Sequence, residues 1–298
     1  MRRSGRGTYR GMKCTVVIKA VLSFGLFCLG VLVYGQNCRL TYTYWKQRTV
    51  DNKYNVSRDL LLDIHDGRGA FYCERSFCFD SLMSCAFGRE GDVIDKQARD
   101  KLNKAKKGNT EWTYIDYKSN EYIQYYNLGS YLVSGAGILE MPAWEHVEEE
   151  KVIDGYLCQK ARADYLGRQW TIWYTKEIPL NYGPWLLWGA PGLIIDARDA
   201  DNLFVFRLTN IMTGGGEERI SFMKDYYSGH LGSVYDTLSM SADRADQMYV
   251  KYYSDADFFM QLTGGGSAYI IDSDGNKTTI VLPKVIPLIP IEYWKRRQ

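Results

Sequence analysis

The sequence predicts a mainly β protein, built as an antiparallel meander in an open or half-barrel-like sheet, with a helical insertion around residues 80–106. Two observations lead to this prediction. Short segments of aromatic and β-branched residues, separated by turn residues, recur along most of the chain, and helical periodicity is confined to one stretch. The 298 residues are 46% hydrophobic and 24% charged, a composition that excludes extensive disorder and collagen-like or coiled-coil architectures.

The first strands are predicted close to residue 40. The segment Leu40–Trp45 alternates apolar and polar positions, as a half-buried strand does. Leu60–Ile64 and Ala70–Cys73 flank the turn sequence Asp66–Gly69 and therefore predict a hairpin. Because Val93–Leu102 is amphipathic at helical spacing, the insertion is expected to hold one or two helices.

After Gly108 the chain returns to a strand pattern. Asp199–Asn202 and Asp272–Asn276 have the composition of turns, and the second is expected to be the tip of a hairpin. No linker or repeat is visible, so residues 36–298 are expected to form a single domain. The further predicted strands are 112–117, 121–126, 157–165, 169–174, 193–196, 203–207, 248–253, 268–271 and 278–282.

The first 35 residues have the pattern of a secretory signal peptide. Basic residues precede the apolar stretch Ala20–Tyr34, and Gly35 supplies the small residue at which a signal peptidase would cut. Met12 would start a leader of more ordinary length. A retained single-pass anchor is the alternative, although the apolar run is shorter than the roughly 20 residues that span a bilayer. We therefore expect an exported protein, in the periplasm or associated with the outer membrane.

The excess of basic charge belongs to this leader. Residues 1–35 hold six of the 37 Lys and Arg and none of the 35 Asp and Glu, so the remainder has 31 basic against 35 acidic residues. That balance gives no overall attraction for nucleic acid. The basic run Lys101–Lys107 is expected to be the solvated end of a helix. Thr213–Gly216 and Thr263–Gly266 are not phosphate loops, because neither is followed by Lys-Ser/Thr.

The cysteines after the leader indicate a structural role. In an oxidising compartment they predict disulfides whose connectivity the sequence leaves open, with at least one thiol unpaired within the chain. A metal-handling protein that uses Cys73, Cys78, Cys85 and His65 is an alternative. The C-x4-C-x6-C spacing is not that of a zinc knuckle, so no metal site is predicted. The five cysteines are Cys38, Cys73, Cys78, Cys85 and Cys158.

The most distinctive stretch of the sequence lies between residues 153 and 195. It combines strand segments rich in aromatic residues with closely spaced glycines and prolines. The pattern comprises Ile153–Ala161, Gly167–Thr175, Glu177–Pro179, Gly183–Trp185 and the hexapeptide Gly189-Ala190-Pro191-Gly192-Leu193-Ile194.

This stretch resembles the GLPGLI family of exported proteins from Bacteroidota-type Gram-negative bacteria, named for the hexapeptide. Asp80–Met83 and Pro287–Glu292 agree with that family, so the resemblance covers most of the chain after the leader. The chain departs from the family pattern at Ala190, at the Cys73–Cys85 cluster and in the 212–266 region. Family members are often associated with TonB-dependent outer-membrane receptors. The resemblance therefore implies an accessory role in uptake at the envelope and assigns no catalytic residue.

The glycines and prolines of the motif predict a structural role first. Closely spaced glycine and proline residues fix a compact loop, which we interpret as a rigid corner that closes the sheet. The functional alternative places Trp185 and Trp188 at the mouth of a concave sheet. There, aromatic faces would cover an apolar or sugar-like ligand.

Catalytic chemistry has no positive support in the sequence. Ser228 and His230 would share one face of a strand, but no G-x-S-x-G elbow accompanies them. His146 with Glu148–Glu150 is typical of a solvated acidic face. We therefore expect a non-enzymatic envelope accessory or binding protein without cofactor, with a TonB-dependent receptor as the expected partner. A secreted peptidase or esterase is the alternative.

Overall fold

A computed structural model describes residues 37–47, 54–87, 96–105, 112–128, 131–227, 236–255, 258, 262, 269–271 and 277–279. It contains a 12-stranded sheet and a separate two-stranded hairpin among these residues. The described helices are too short or too polar to cross a lipid bilayer.

Fourteen strands and four longer helices make up the described fold. The strands are β1 (Cys38–Gln47), β2 (Tyr54–His65), β3 (Arg68–Cys73), β4 (Trp112–Asp116), β5 (Glu121–Leu128), β6 (Tyr131–Ile138), β7 (Glu145–Ile153), β8 (Tyr156–Tyr165), β9 (Arg168–Thr175), β10 (Leu193–Asp199), β11 (Phe204–Thr213), β12 (Asp236–Ser241), β13 (Tyr269–Ile271) and β14 (Lys277–Thr279). The helices are α1 (Glu74–Phe87), α2 (Lys96–Leu102), α3 (Glu217–Tyr227) and α4 (Ala242–Ser254).

The N-terminal strand lies in the middle of the large sheet. The strand order is β12-β6-β5-β4-β3-β2-β1-β11-β10-β9-β8-β7, so two meanders, β1–β6 and β7–β11, meet where β11 pairs with β1. The neighbouring strands are antiparallel except for β12, which pairs with β6 in parallel. The predicted mainly β fold with an open sheet is confirmed, and β12 is the strand that departs from a pure antiparallel meander.

The two faces of the sheet are covered differently. On one face, even-numbered residues of β1 such as Leu40 and Tyr42 pack against the β9–β10 connection, which contributes Trp185 and Leu186 to the same core. On the other face, α1 and α3 cover β2–β5, and α4 covers β5 and β6. Side chains alternate between the two faces of a strand, so both sets of positions are apolar where both faces are covered.

The helical insertion is confirmed as α1 and α2, whereas one predicted strand is wrong. Residues 248–253 belong to α4. The buried positions of α4 include Ala242, Ala245, Tyr249 and Tyr252, a spacing of three and four residues that marks one helical face. The Tyr-rich end of α4 was assigned to a strand because of its aromatic and β-branched residues, and packing on β5 and β6 accompanies the helix that forms instead. The strands β6, β7 and β12 and the helix α3 were not predicted.

Candidate functional site

The hexapeptide closes the long connection between β9 and β10. Leu193 pairs with Thr175 at the first step of the β9–β10 ladder, so residues 176–192 leave the sheet and return at the same point. The amides of Leu193 and Ile194 donate hydrogen bonds to the carbonyls of Ile178 and Tyr182, both at 3.1 Å. The connection, called the motif loop from here on, is therefore tied to the strand that it precedes.

Two glycines of the motif are required by close backbone approach and by backbone conformation. A Cβ atom at Gly192 would lie 2.0 Å from the carbonyl oxygen of Thr175, well inside van der Waals contact. Gly189 has a φ of +79° and would carry a Cβ atom 2.5 Å from Cγ of Met141. These positions explain in steric terms why glycine stands at the first and fourth residues of the hexapeptide.

Trp185 lies in the interior of the protein. Its side chain is 3% exposed, and its ring centroid is 5.8 Å from that of Trp170 and 6.3 Å from that of Tyr165. Its backbone has a φ of +54°, in the left-handed region that non-glycine residues seldom occupy. The ring of Trp185 therefore packs in the core beneath the motif loop.

Trp188 lies at the surface of the motif loop and is half-buried. Its ring centroid is 5.4 Å from that of Tyr117, and its indole nitrogen donates to the carbonyl of Glu140 at 3.3 Å. Trp144 donates its own indole hydrogen to the carbonyl of Trp188 at 2.7 Å. These bonds fix both indoles, because each ring is anchored by its polar edge.

Apolar side chains surround Trp188 and form a patch that we call the aromatic rim. The ring of Tyr182 lies beside that of Tyr117, tilted by 54° with the centroids 4.9 Å apart, and burial raises the pKa of the Tyr182 phenol. Met141, which packs over Gly189, is 62% exposed. The aromatic rim consists of Tyr117, Met141, Trp144, Tyr182 and Trp188.

A second feature is a split in the sheet between β10 and β11. These strands pair over three positions only, from Asp196 with Arg207 to Arg198 with Val205, although β11 continues to Thr213. Among the described strands, the rest of β11 pairs with β1 alone. A cavity of about 480 Å³ opens at the split, and its lining residues are Asp154, Tyr156, Ile195, Leu208, Thr209, Asn210 and Ile211.

Ion pairs lie beside this cleft. The buried carboxylate of Asp196 accepts hydrogen bonds from Arg198 and Arg207, each at 2.9 Å. Arg207 also approaches the carboxylate of Asp154 at 3.5 Å. Lys151 lies 3.8 Å above the ring of Trp173, and burial lowers the pKa of its amine. The guanidinium of Arg207 is therefore engaged mainly by Asp196, which leaves the exposed Asp154 carboxylate at the rim of the cleft.

A third feature is a network of polar side chains centred on Asp63, which is buried beneath the N-terminus of α3. Asp63 accepts a bidentate pair of bonds from Arg39, at 2.5 and 2.9 Å, and one from the phenol of Tyr72 at 2.5 Å. Arg219 of α3 joins Tyr72 to Glu74 with bonds of 3.0 and 3.1 Å. Because every charged member has a partner, this network ties α3 to the sheet and has the geometry of a structural cluster.

The residues of the two alternative chemistries are not gathered in the described part of the chain. His65 and Cys73 lie at opposite ends of the β2–β3 ladder. His146 is exposed on β7, with its Nδ1 3.4 Å from the hydroxyl of Tyr174. The described residues hold no group of three or more potential metal ligands. Ser228 and His230 lie outside the described residues, as does the side chain of Cys85.

Sequence reasoning named Trp185 and Trp188 and missed the rest of the aromatic rim. Trp144 and Tyr117 precede Trp188 by 44 and 71 positions, and no periodicity connects residues so far apart. The cleft was also missed. It forms because β11 continues along β1 after its pairing with β10 has ended, and the sequence does not show which strands are neighbours. A signal for the rim does exist in the sequence, since Trp144 follows Pro142 outside any strand pattern.

Comparison with known proteins gives distant structural similarity only. No family model matches the chain, and no curated protein matches it. Solved structures similar to it include PNGF-II in the P21 space group, with a TM-score of 0.45 and 18% identity over 72% of this chain. PNGF-II in the C2 space group gives a TM-score of 0.44 and 16% identity over 79% of this chain. The present chain spans only 33% and 34% of those two chains.

Proposed function

We propose that this protein is an exported, non-enzymatic binding protein of the bacterial envelope that holds an apolar or sugar-like ligand against the aromatic rim. The observation that carries the proposal is the exposed apolar surface around Trp188. The ring of Trp188 is half-buried, and the exposed Met141 lies beside it over Gly189; aromatic and aliphatic side chains that reach the surface together are typical of ligand or partner surfaces.

Hydrogen bonds hold the side chains of the aromatic rim and the loop beneath them in place, which favours a binding role for these surface residues. Trp144 and Trp188 are linked by a hydrogen bond of 2.7 Å, and the motif loop beneath them is held by the bonds of Leu193 and Ile194. A surface that is rigid before it meets its ligand loses little conformational entropy on binding. Flat indole faces suit both acyl chains and the apolar faces of sugar rings.

The proposed place of action follows from the leader pattern and the resemblance to the GLPGLI family. An accessory that presents a ligand beside a TonB-dependent outer-membrane receptor would work in the periplasm. N-terminal sequencing of the protein recovered from a periplasmic fraction tests the export step. A chain that starts at Gln36 supports export, and a cytoplasmic chain that keeps Met1 or Met12 contradicts it.

Binding is tested by titration calorimetry with two probes, dodecanoate and cellohexaose. We expect one probe to bind saturably and Trp188→Ala to weaken it at least tenfold, because the ring supplies the central contact area. Trp45→Ala is the matched control, since Trp45 is also half-buried but lies on β1 outside the aromatic rim. Circular dichroism checks that both variants are folded.

Three outcomes would overturn the proposal. The first is equal loss of binding in Trp188→Ala and Trp45→Ala, and the second is saturable binding of neither probe. The third is turnover of a peptide or ester panel by the purified protein that disappears in His230→Ala, which would establish the hydrolase alternative.

A further inference from the structure

We propose that Lys151, Arg198 and Arg207, arranged around the buried carboxylate of Asp196, bind the phosphate or sulfate group of an anionic ligand. The three basic side chains come from β7, β10 and β11 and are called the cationic cluster from here on. This site is separate from the aromatic rim and does not depend on the function proposed for it.

The two guanidinium groups of the cationic cluster are fixed by one carboxylate. Asp196 is 1% exposed. It accepts bonds from Nη2 of Arg198 at 2.9 and 3.0 Å and from Nε of Arg207 at 2.9 Å. Arg198 follows Asp196 by two positions on β10, and Arg207 is the partner of Asp196 across the β10–β11 ladder, so the three side chains lie on one face of the sheet. The shared carboxylate therefore sets the direction of both planar groups.

Part of each guanidinium group remains accessible to a solute. Arg198 contacts Asp196 through Nε and Nη2, and Arg207 contacts it through Nε. Nη1 of Arg207 lies 3.5 Å from the exposed carboxylate of Asp154. Nη1 of Arg198 and Nη2 of Arg207 make no hydrogen bond to the described residues. The two side chains are 38% and 32% exposed, so an anion from solution can reach these donors.

Lys151 adds a third cation from β7. Its ammonium lies 3.8 Å over the ring of Trp173, and Trp173 is the partner of Asp196 in the β9–β10 ladder. The face of the indole attracts the ammonium and helps to orient it. Burial lowers the pKa of the Lys151 amine, and the two guanidinium groups lower it further, although Asp196 and Glu149 oppose the shift. The amine therefore lies within electrostatic range of both guanidinium groups.

The charged side chains that contact one another here carry a surplus of positive charge. Among the described residues they are four basic side chains, Lys151, Lys160, Arg198 and Arg207, and three acidic ones, Glu149, Asp154 and Asp196. The network around Asp63 differs, because it joins two basic to two acidic side chains, Arg39 and Arg219 to Asp63 and Glu74. A positive surplus on a fixed scaffold favours an anion as the ligand.

A tetrahedral oxyanion fits the cationic cluster better than a planar carboxylate does. The basic groups come from three strands and therefore approach a bound anion from different directions. A phosphate or sulfate group has at least three outward oxygen atoms and can accept from each of them. Guanidinium groups bind such oxyanions through paired N–H donors, and an ammonium binds them as a point charge.

The test titrates the purified protein with sulfate, inorganic phosphate and glycerol phosphate at constant ionic strength, so that screening does not change. NMR signals of the arginine Nε–H and lysine Cε–H groups report on the site. We expect saturable shifts at Arg198, Arg207 and Lys151, and binding of acetate about tenfold weaker because it loses a hydrogen bond to a charged group. Saturation with sulfate should raise the pKa of the Lys151 amine, since a nearby negative charge favours the ammonium.

Variants that remove one cation place the anion in the cationic cluster. Arg198→Gln should weaken sulfate binding about tenfold, and Asp196 keeps Arg207 as its partner in this variant. Lys151→Gln should weaken it about threefold, the size expected of a solvent-exposed pair. Lys224→Gln is the matched control, because Lys224 is also exposed but lies on α3, and it should leave binding unchanged. Circular dichroism checks that the variants are folded.

A variant that removes a carboxylate should have the opposite effect. Asp154→Asn takes away a negative charge that competes with the ligand for Arg207, so sulfate binding should strengthen about threefold. Asn keeps the left-handed backbone that Asp154 adopts, with a φ of +50°.

Two further measurements distinguish the sources of the oxyanion. Cosedimentation with phosphatidylcholine vesicles that contain phosphatidate, reversed by free phosphate and absent with phosphatidylcholine alone, would assign a lipid headgroup. Binding of glycerol phosphate without cosedimentation would assign a soluble phosphorylated molecule. Each result supports the inference.

Four outcomes would overturn the inference. They are the absence of saturable shifts with sulfate and phosphate, binding of acetate as tight as that of sulfate, equal effects of Lys151→Gln and Lys224→Gln, and an Asp154→Asn variant that fails to strengthen binding. Trp188→Ala is expected to leave sulfate binding unchanged, so failure of the aromatic rim and failure of the cationic cluster are distinguishable.

Discussion

The phenol of Tyr42 on β1 donates a hydrogen bond of 3.0 Å to the main-chain carbonyl of Ile194, 152 positions further along the chain. Tyr42 is fully buried, and Ile194 is the last residue of the hexapeptide. The bond connects β1, the central strand, to the second residue of β10, in the part of β10 that does not pair with β11. It therefore helps to set both the position of the motif loop and the width of the cleft.

Removing this bond should destabilise the fold without changing its shape. Tyr42→Phe leaves a buried carbonyl without its donor, which costs about 1–3 kcal/mol in unfolding free energy. Urea denaturation followed by circular dichroism measures the change. Tyr131→Phe, a half-buried ring on β6, is the control and should have a smaller effect. Equal losses in the two variants would contradict a specific role for the Tyr42 hydroxyl.

The glycine at the fourth position of the hexapeptide should be the least replaceable residue of the motif. Gly192→Ala forces a Cβ atom against the carbonyl of Thr175, and overpacking of this kind costs about 1–3 kcal/mol or more. Gly214→Ala is the control, because it has a φ of +78° and no atom within 4 Å of its Cβ position. Gly214→Ala is destabilised only because alanine is disfavoured in the left-handed backbone conformation, by about 1–2 kcal/mol. Thermal unfolding compares the two, and a Gly192→Ala protein as stable as Gly214→Ala would contradict the steric argument.

The buried carboxylate of Asp63 should be sensitive to loss of its charge. Asp63→Asn replaces an acceptor of three hydrogen bonds, two from Arg39 and one from Tyr72, and leaves a half-buried guanidinium short of a partner. We expect a loss of about 2–4 kcal/mol, since breaking a buried pair is costly. Asp66→Asn is the matched control in an exposed pair with Lys118 and should change stability far less. Chemical denaturation measures the unfolding free energy of both variants. Similar losses in Asp63→Asn and Asp66→Asn would contradict the importance of the buried charge.

Stability should fall at alkaline pH because buried phenols and thiols keep their protons. Burial raises the pKa of Tyr125 to about 12 and that of Cys38 to about 12. The unfolded chain releases these protons at lower pH, so the folded state binds more protons and is destabilised as the pH rises. The loss is about 1.4 kcal/mol per pH unit and group between the two pKa values.

Urea unfolding at pH 8, 10 and 11 under reducing conditions measures this dependence. Tyr125→Phe should reduce the slope above pH 10, and the half-buried Tyr131→Phe serves as the comparison. A free energy of unfolding that stays constant from pH 8 to pH 11 would rule out the contribution of these buried groups.

The agreement between sequence and structure is best where local patterns act alone. The β2–β3 hairpin was predicted from the turn sequence Asp66–Gly69 between two apolar runs. In the structure Asp66 and Gly67 form the turn, and Arg68 and Gly69 already belong to β3. The segment 248–253 was assigned wrongly, since its aromatic and β-branched content was read as a strand although Tyr249 and Tyr252 are spaced as on one face of a helix. Packing of Ala245 and Tyr249 against the sheet decides for the helix. The strand β7 was missed because most of its residues face solvent, so it lacks an apolar alternation.

The sequence by itself determined the strand-rich fold, the helical insertion and the need for glycine in the motif loop, because each depends largely on neighbouring residues. Tertiary structure alone decided that Trp185 is buried while Trp188 stands among Tyr117, Trp144 and Met141. It also decided that β11 pairs with β1 and extends beyond β10. Residues that are far apart in the sequence come into contact only when the strands pair and the apolar faces of the sheet are buried. The aromatic rim and the cleft both consist of such residues.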